Sequence, residues 1–182
     1  MSILTVILLA STMIPKTSIG LQMPPLKGEF LTGRQAQLPA AAAGRVALVA
    51  LGFTYDSRFP VEDWIGRFRK DYGANPKVTF YEVPMIGGMA RLGKWFIDSG
   101  MRKGTPLDDR EHVITVYGGT DACKESVDYE SPAAAYLLLL DNDGVVRWRH
   151  NGAFDETAYK DLCAHMIPLL ADPQEKHRRA KH

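Results

Sequence analysis

Sulfur is scarce in this chain: 182 residues hold two cysteines, Cys123 and Cys163, with no CxxC pair and no cluster of metal-type ligands beside either. A zinc ribbon is excluded on that count; the two cysteines could form one disulfide, against which stand the polar, loop-like setting of Cys123 and the apolar helix setting of Cys163. The five histidines, His112, His150, His165, His177 and His182, lie scattered with no HxxxH or HExxH spacing, so zinc hydrolase chemistry has no ligand set. Gly87-Gly88 does not make a phosphate loop, no Walker or Rossmann fingerprint occurs, and no nucleophile elbow is present. No cofactor or metal is therefore expected. An excess of one charge is lacking too, with 22 Lys+Arg against 21 Asp+Glu, which removes the bulk basic footprint of a nucleic-acid binder.

A long apolar run is also missing. Ile3 to Ile14 has the length of a signal-peptide core and is too short to cross a bilayer as a helix. Ser18 and Gly20 offer a cleavage site, while the first basic residue, Lys16, stands on the wrong side of the apolar run. Residues 1–20 are thus expected to be a signal or anchor, giving an exported (periplasmic or secreted) or membrane-associated protein; an apolar N-terminal strand or a mistaken start is the other reading. Residues 172–182 end in Lys176-His177-Arg178-Arg179-Ala180-Lys181-His182, which reads as a solvated basic tail.

What is present between these ends is a single domain's worth of alternating strand and helix patterns. Residues 21–44, with Pro24, Pro25, Pro39 and a Gly33-Arg34 turn, predict a lead-in hairpin, and residues 45–171 the domain proper. Val46 to Phe53 is nearly all apolar, as a strand covered on both faces would be. Pro60 then opens a helix, with Glu62 and Asp63 in its first turn, Val61, Trp64, Ile65 and Phe68 at i, i+3, i+4, i+7, and Gly73 at its close. Lys77 to Val83 predicts a second strand, and Met89 to Ser99 a helix with Leu92, Trp95 and Phe96 inward and Gly100 as its stop. His112 to Tyr117 is a third strand and Thr120 to Asp128 a loop or short helix. Tyr136 to Asp141 and Val145 to His150, joined by Asn142-Asp143-Gly144, form a hairpin. A helix from Asp155 to Leu170, with Tyr159, Leu162, Cys163, Met166 and Leu170 inward, closes the order.

The strand GRVALVALGFTYDS and the hairpin YLLLLDNDGVVRWRHNG resemble the two ends of the thioredoxin-like fold, over Pro24 to Leu170. That resemblance implies an α/β three-layer sandwich, a mixed central sheet flanked by helices. Arg147-Trp148, Gly152 and Trp64 are most similar to the thioredoxin-like family of mitochondrial ATP-synthase assembly factors, with TlpA, peroxiredoxin and Sco types as further likenesses. It is at the turn after the first such strand that this superfamily carries its thiols. Here the turn reads Thr54-Tyr55-Asp56-Ser57-Arg58-Phe59-Pro60, without cysteine. Against the Sco pattern Asp56 and Pro60 fill the two thiol slots and Ala133 lies near the expected copper histidine, so no copper site carries over. Pro132 stands where the superfamily's cis-proline is sought, or simply starts the next strand.

The implied function is a redox-inactive protein that binds a partner polypeptide, a membrane-complex subunit by analogy, as an assembly factor or chaperone; fold alone does not dictate this. Its binding candidates are Asp56, Ser57, Arg58, Arg147 and Trp148. Asp56 and Ser57 read either as ligand contacts or as a helix cap, and Arg58 as an anion contact or a plain surface residue. Trp148, between Arg147 and Arg149 on an alternating strand, must face away from both. It is core if a helix covers it and a contact surface if none does. The enzyme alternative is a divergent peroxiredoxin-like or thiol oxidoreductase using Cys123, whose thiol the neighbouring Lys124 would activate.

Overall fold

The computed structural model describes residues 16–171; the apolar run and the basic tail lie outside them. Seven strands make one mixed sheet in the order β2-β1-β5-β4-β3-β6-β7. The lead-in hairpin, β1 (Leu26–Phe30) and β2 (Gln35–Leu38), adds to the sheet edge through antiparallel pairing with β5 (Ile114–Tyr117). β3 (Val46–Gly52), β4 (Val78–Ile86) and β5 run parallel, and β6 (Ala135–Leu140) and β7 (Val146–Gly152) form the terminal hairpin. Two parallel steps in one direction, each right-handed, put α1 (Arg58–Tyr72) and α2 (Lys94–Gly104) over the same face of the sheet.

The unbroken apolar run of β3 has the expected cause. Val46, Leu48 and Ala50 face one core with Trp64 and Phe68 of α1 and Leu162 and Met166 of α4 (Glu156–Leu170), while Ala47, Val49 and Leu51 face the other. That second core holds Tyr81, Val83 and Ile114 with Cys123 and Val127 around α3 (Thr120–Ser126). The result is helices on both faces of a mixed sheet, the expected three-layer α/β arrangement. Asp155 caps α4 by accepting from the Ala158 N–H at 2.8 Å.

Two helices depart from expectation. α1 begins at Arg58, so Pro60 sits inside its first turn, where a missing N–H costs nothing, and Glu62 and Asp63 lie beyond that turn. The stretch expected as one helix from Met89 is a 3-10 segment, Gly88–Gly93, followed by α2, which passes Gly100 and ends at Gly104. The added turn is fastened by polar bonds: Arg102 Nε donates to the Leu31 carbonyl at 2.7 Å and Arg110 to the Arg102 carbonyl. Leu92, Trp95 and Phe96, expected inward, are 73%, 70% and 75% exposed. α2 is seated by its polar side instead, through buried Asp98, which accepts from Tyr117 Oη at 2.6 Å and from Lys94.

Candidate functional site

The turn after β3 closes on itself. Ser57 Oγ donates to the Thr54 carbonyl at 2.8 Å and accepts from the Thr54 N–H at 3.1 Å, while Thr54 Oγ1 accepts from the Ser57 N–H at 3.2 Å. Ser57 is fully buried and makes no side-chain cap to α1, so neither Asp56 nor Ser57 acts as the expected helix cap. Gly52 is required beneath it, because a Cβ there would stand 2.8 Å from Ser57 Oγ. Thr54 Oγ1 also donates to the Pro132 carbonyl, tying this turn to the segment before β6. Pro132 is not preceded by a cis bond; among the described residues that conformation occurs at Leu38-Pro39. Asp56 is exposed, and the Arg58 guanidinium lies over the rings of Tyr55 and Phe59, 4.2 and 4.5 Å from their centroids.

The remaining expected residues are not brought to this turn. Trp148 is 4% exposed, packs 6.1 Å from Trp64 and donates from Nε1 to Asp161 of α4 at 2.7 Å, so a helix does cover it. Arg147 faces the other way and pairs with Asp141 at 2.6 Å. Cys123 is buried on α3, in the core opposite to the one that Cys163 borders, so the sheet lies between the two free thiols. Burial pushes the Cys123 thiol up to about 11, and the space beside it is only about 20 Å³, room for one water. Lys124 does not activate it: its ammonium lies 4.7 Å from the Tyr129 ring centroid.

A cleft of about 760 Å³ opens instead between the start of α1 and the inner side of α2. The turn supplies Phe53, Tyr55 and Arg58, α2 supplies Phe96, Ile97 and Met101, and the floor is the edge of β4 at Glu82, Pro84 and Ile86. Its walls are mostly apolar; of the exposed aromatics Tyr55 and Phe96 line it, with Phe59 against the Tyr55 ring and Trp95 against the Phe96 ring. Glu82 is among the lining residues that the sequence reading did not place in a site, with Pro84, Ile86, Ile97 and Met101. Burial, with help from Glu62 and Asp109 and against Arg69, raises its carboxyl to about 7. The signal was a single carboxylate inside a strand that is apolar on both faces. Among the described residues no group of three or more His, Cys, Asp or Glu is placed to hold a metal, and no helix is long and apolar enough to cross a membrane.

No family model matches the chain, and no curated protein matches it. Solved structures do. A protein assigned as the thiol:disulfide interchange protein DsbE from Chlorobium tepidum aligns with a TM-score of 0.58 at 15% identity, over 86% of this chain and 100% of that one. A protein assigned as a disulfide isomerase from Bacteroides thetaiotaomicron gives 0.59 at 13%, over 91% and 98%. BsSco, described as a member of the Sco family of cytochrome c oxidase assembly proteins, gives 0.53 at 14%, over 82% and 96%. At these identities the likeness carries the architecture alone: the chain has a thioredoxin-like fold.

Proposed function

We propose that this protein binds a partner polypeptide in the cleft between α1 and α2 and performs no dithiol exchange at the turn after β3. The cleft itself carries the reading: about 760 Å³ of mostly apolar space, rimmed by exposed aromatic side chains, next to a turn that holds no thiol. The buried serine of the turn is no free nucleophile either, since Ser57 spends its hydroxyl within the turn. Assembly-factor or chaperone work on a membrane complex, after export or membrane anchoring through residues 1–20, is the biological form of this proposal. It draws support from the apolar run at Ile3 to Ile14 and from the likeness to BsSco, itself described as belonging to a family of assembly proteins.

The test is site-specific photo-crosslinking of the full chain in its own cells, from a photoreactive residue at Phe96. A discrete polypeptide adduct that disappears in Gly100→Trp is expected, because Gly100 lines the cleft and has open space where a side chain would grow. Adducts indifferent to Gly100→Trp would overturn the reading.

Neighbours named as thiol:disulfide proteins favour a second reading, thiol chemistry through Cys123. It demands a thiolate. With the thiol raised to about 11, alkylation of native Cys123 at pH 7.4 is expected to run about two orders of magnitude or more below that of a free thiol. A rate above the free thiol, together with disulfide or peroxide reduction lost in Cys123→Ser, would establish this reading in place of the first.

A further inference from the structure

The cleft has one acidic group on its floor that an apolar ligand would not use. Glu82 lies in the middle of β4, paired with Ala50 of β3, and its own N–H donates to the His112 carbonyl at 2.8 Å, so the strand holds it in place. Its carboxylate has no hydrogen-bond or ion-pair partner among the described residues, and only more distant charges act on it. From α1 these are Glu62, which also lines the cleft, and Arg69, whose guanidinium is taken by Asp109 at 2.7 Å in the 3-10 turn Leu107–Asp109. Arg58, farther along the wall, is stacked on Tyr55 and Phe59. Ahead of β5, His112 lies flat on Phe80, ring centroids 4.2 Å apart, with Nδ1 at the Phe80 carbonyl. From α2 the lining residues Phe96, Ile97, Gly100, Met101 and Gly104 bring no charge at all.

The floor therefore offers an unpaired carboxyl, and the walls are apolar apart from Glu62 and Arg58. A half-buried carboxylate without a counter-charge is costly to ionise, and a ligand that supplies a cation recovers that cost on binding. A long aliphatic stem ending in a cation matches both features, its methylenes against the walls and its head at the floor. We propose that Glu82 is the specificity residue of the cleft, pairing with a lysine or arginine that stands between apolar residues in the bound segment of the partner polypeptide. This rests on the reading of the cleft as a polypeptide site and sharpens it: a basic residue within an apolar stretch is selected, not an apolar stretch alone.

The experiment is selection from a displayed library of random 12-residue peptides lacking histidine, on the full chain, on Glu82→Gln and on Gly100→Trp, at pH 8 and pH 5.5. Peptides enriched on the wild type at pH 8 are expected to carry lysine or arginine beside Leu, Phe or Trp, with synthetic copies binding at least about tenfold more weakly to Glu82→Gln. The wild type itself is expected to lose affinity for them at pH 5.5, where its carboxyl is protonated while the peptide keeps its charge. That arm holds even if Glu82→Gln misfolds. Enriched peptides that lack a cation and bind Glu82→Gln equally well would overturn this proposal and leave the cleft as a plain apolar site. Enrichment unchanged by Gly100→Trp would instead overturn the cleft reading as well.

Discussion

Glu82 also leaves a mark on folding stability that needs no ligand. Its carboxyl titrates at about 7 in the fold against about 4.3 in the unfolded chain, so the fold disfavours the charged form. The contribution is therefore most favourable below pH 4 and declines as pH rises toward 7, by a few kcal/mol at most. Glu82→Gln is expected to raise the urea midpoint at pH 8 while changing it little at pH 4.5; equal midpoints at pH 8 would mean that the carboxylate is already compensated. Asp141 behaves oppositely. Although burial opposes it, bonds from the Val145 and Asp143 N–H groups and from Arg147 hold its carboxyl below the ordinary range. Its stabilisation is full above pH 4 and is lost as acid protonates it. Asp141→Ala removes three bonds at once and is expected to cost about 2–3 kcal/mol in urea denaturation, the charged partner included. At this scale the missing thiols of the turn are legible in the chain but Ser57's inward hydroxyl is not, because Thr54 and Ser57 bind each other only once the turn has its three-dimensional form.

Elements whose pattern was set by burial were legible, and the one set by polar tethering was not. β3 and α1 announce themselves because every apolar residue at the expected spacing has a core to enter. The same logic misplaced α2, where Trp95 and Phe96 look like an inward stripe but stand outside, and Asp98 takes the buried position. No spacing rule foresees that, since it depends on Tyr117 of β5 and Glu29 of β1 meeting Asp98 and Lys94 across the sheet edge. The consequence is a helix held by a few hydrogen bonds rather than by a wide apolar face. Asp98→Ala strands Tyr117 and Lys94 without their partner, an expected loss of about 1–3 kcal/mol for a buried network. Opening of this kind is local. Hydrogen exchange should therefore speed up across residues 94–104 while β3 and β6 stay protected; a uniform loss of protection would show that α2 is part of the main cooperative unit.

For the whole molecule, the sheet decides which residues can act together. It places Cys123 and Cys163 in different cores and Trp148 under α4, outside the set of residues that line the cleft. The order of strands and helices was readable from the chain because each element carries its own period of apolar residues, bounded by turn residues. Which faces the side chains shared was not, since that depends on the strand order, in which β1 joins β5 and β6 joins β3. Trp148 illustrates the difference. Its flanking arginines left it either core or contact surface; it packs on Trp64 and bonds Asp161, so truncating it removes core. Trp148→Ala is expected to lower global stability by about 3–5 kcal/mol, as large aromatic deletions do, with thermal melting displaced accordingly. Any loss of partner binding in that variant would follow from unfolding, whereas Arg58→Ala should leave the melting temperature nearly unchanged because its guanidinium lies over Tyr55 and Phe59 at the surface. A Trp148→Ala protein that melts like the wild type would remove this indole from the core's stabilising set and return it to the candidates for contact.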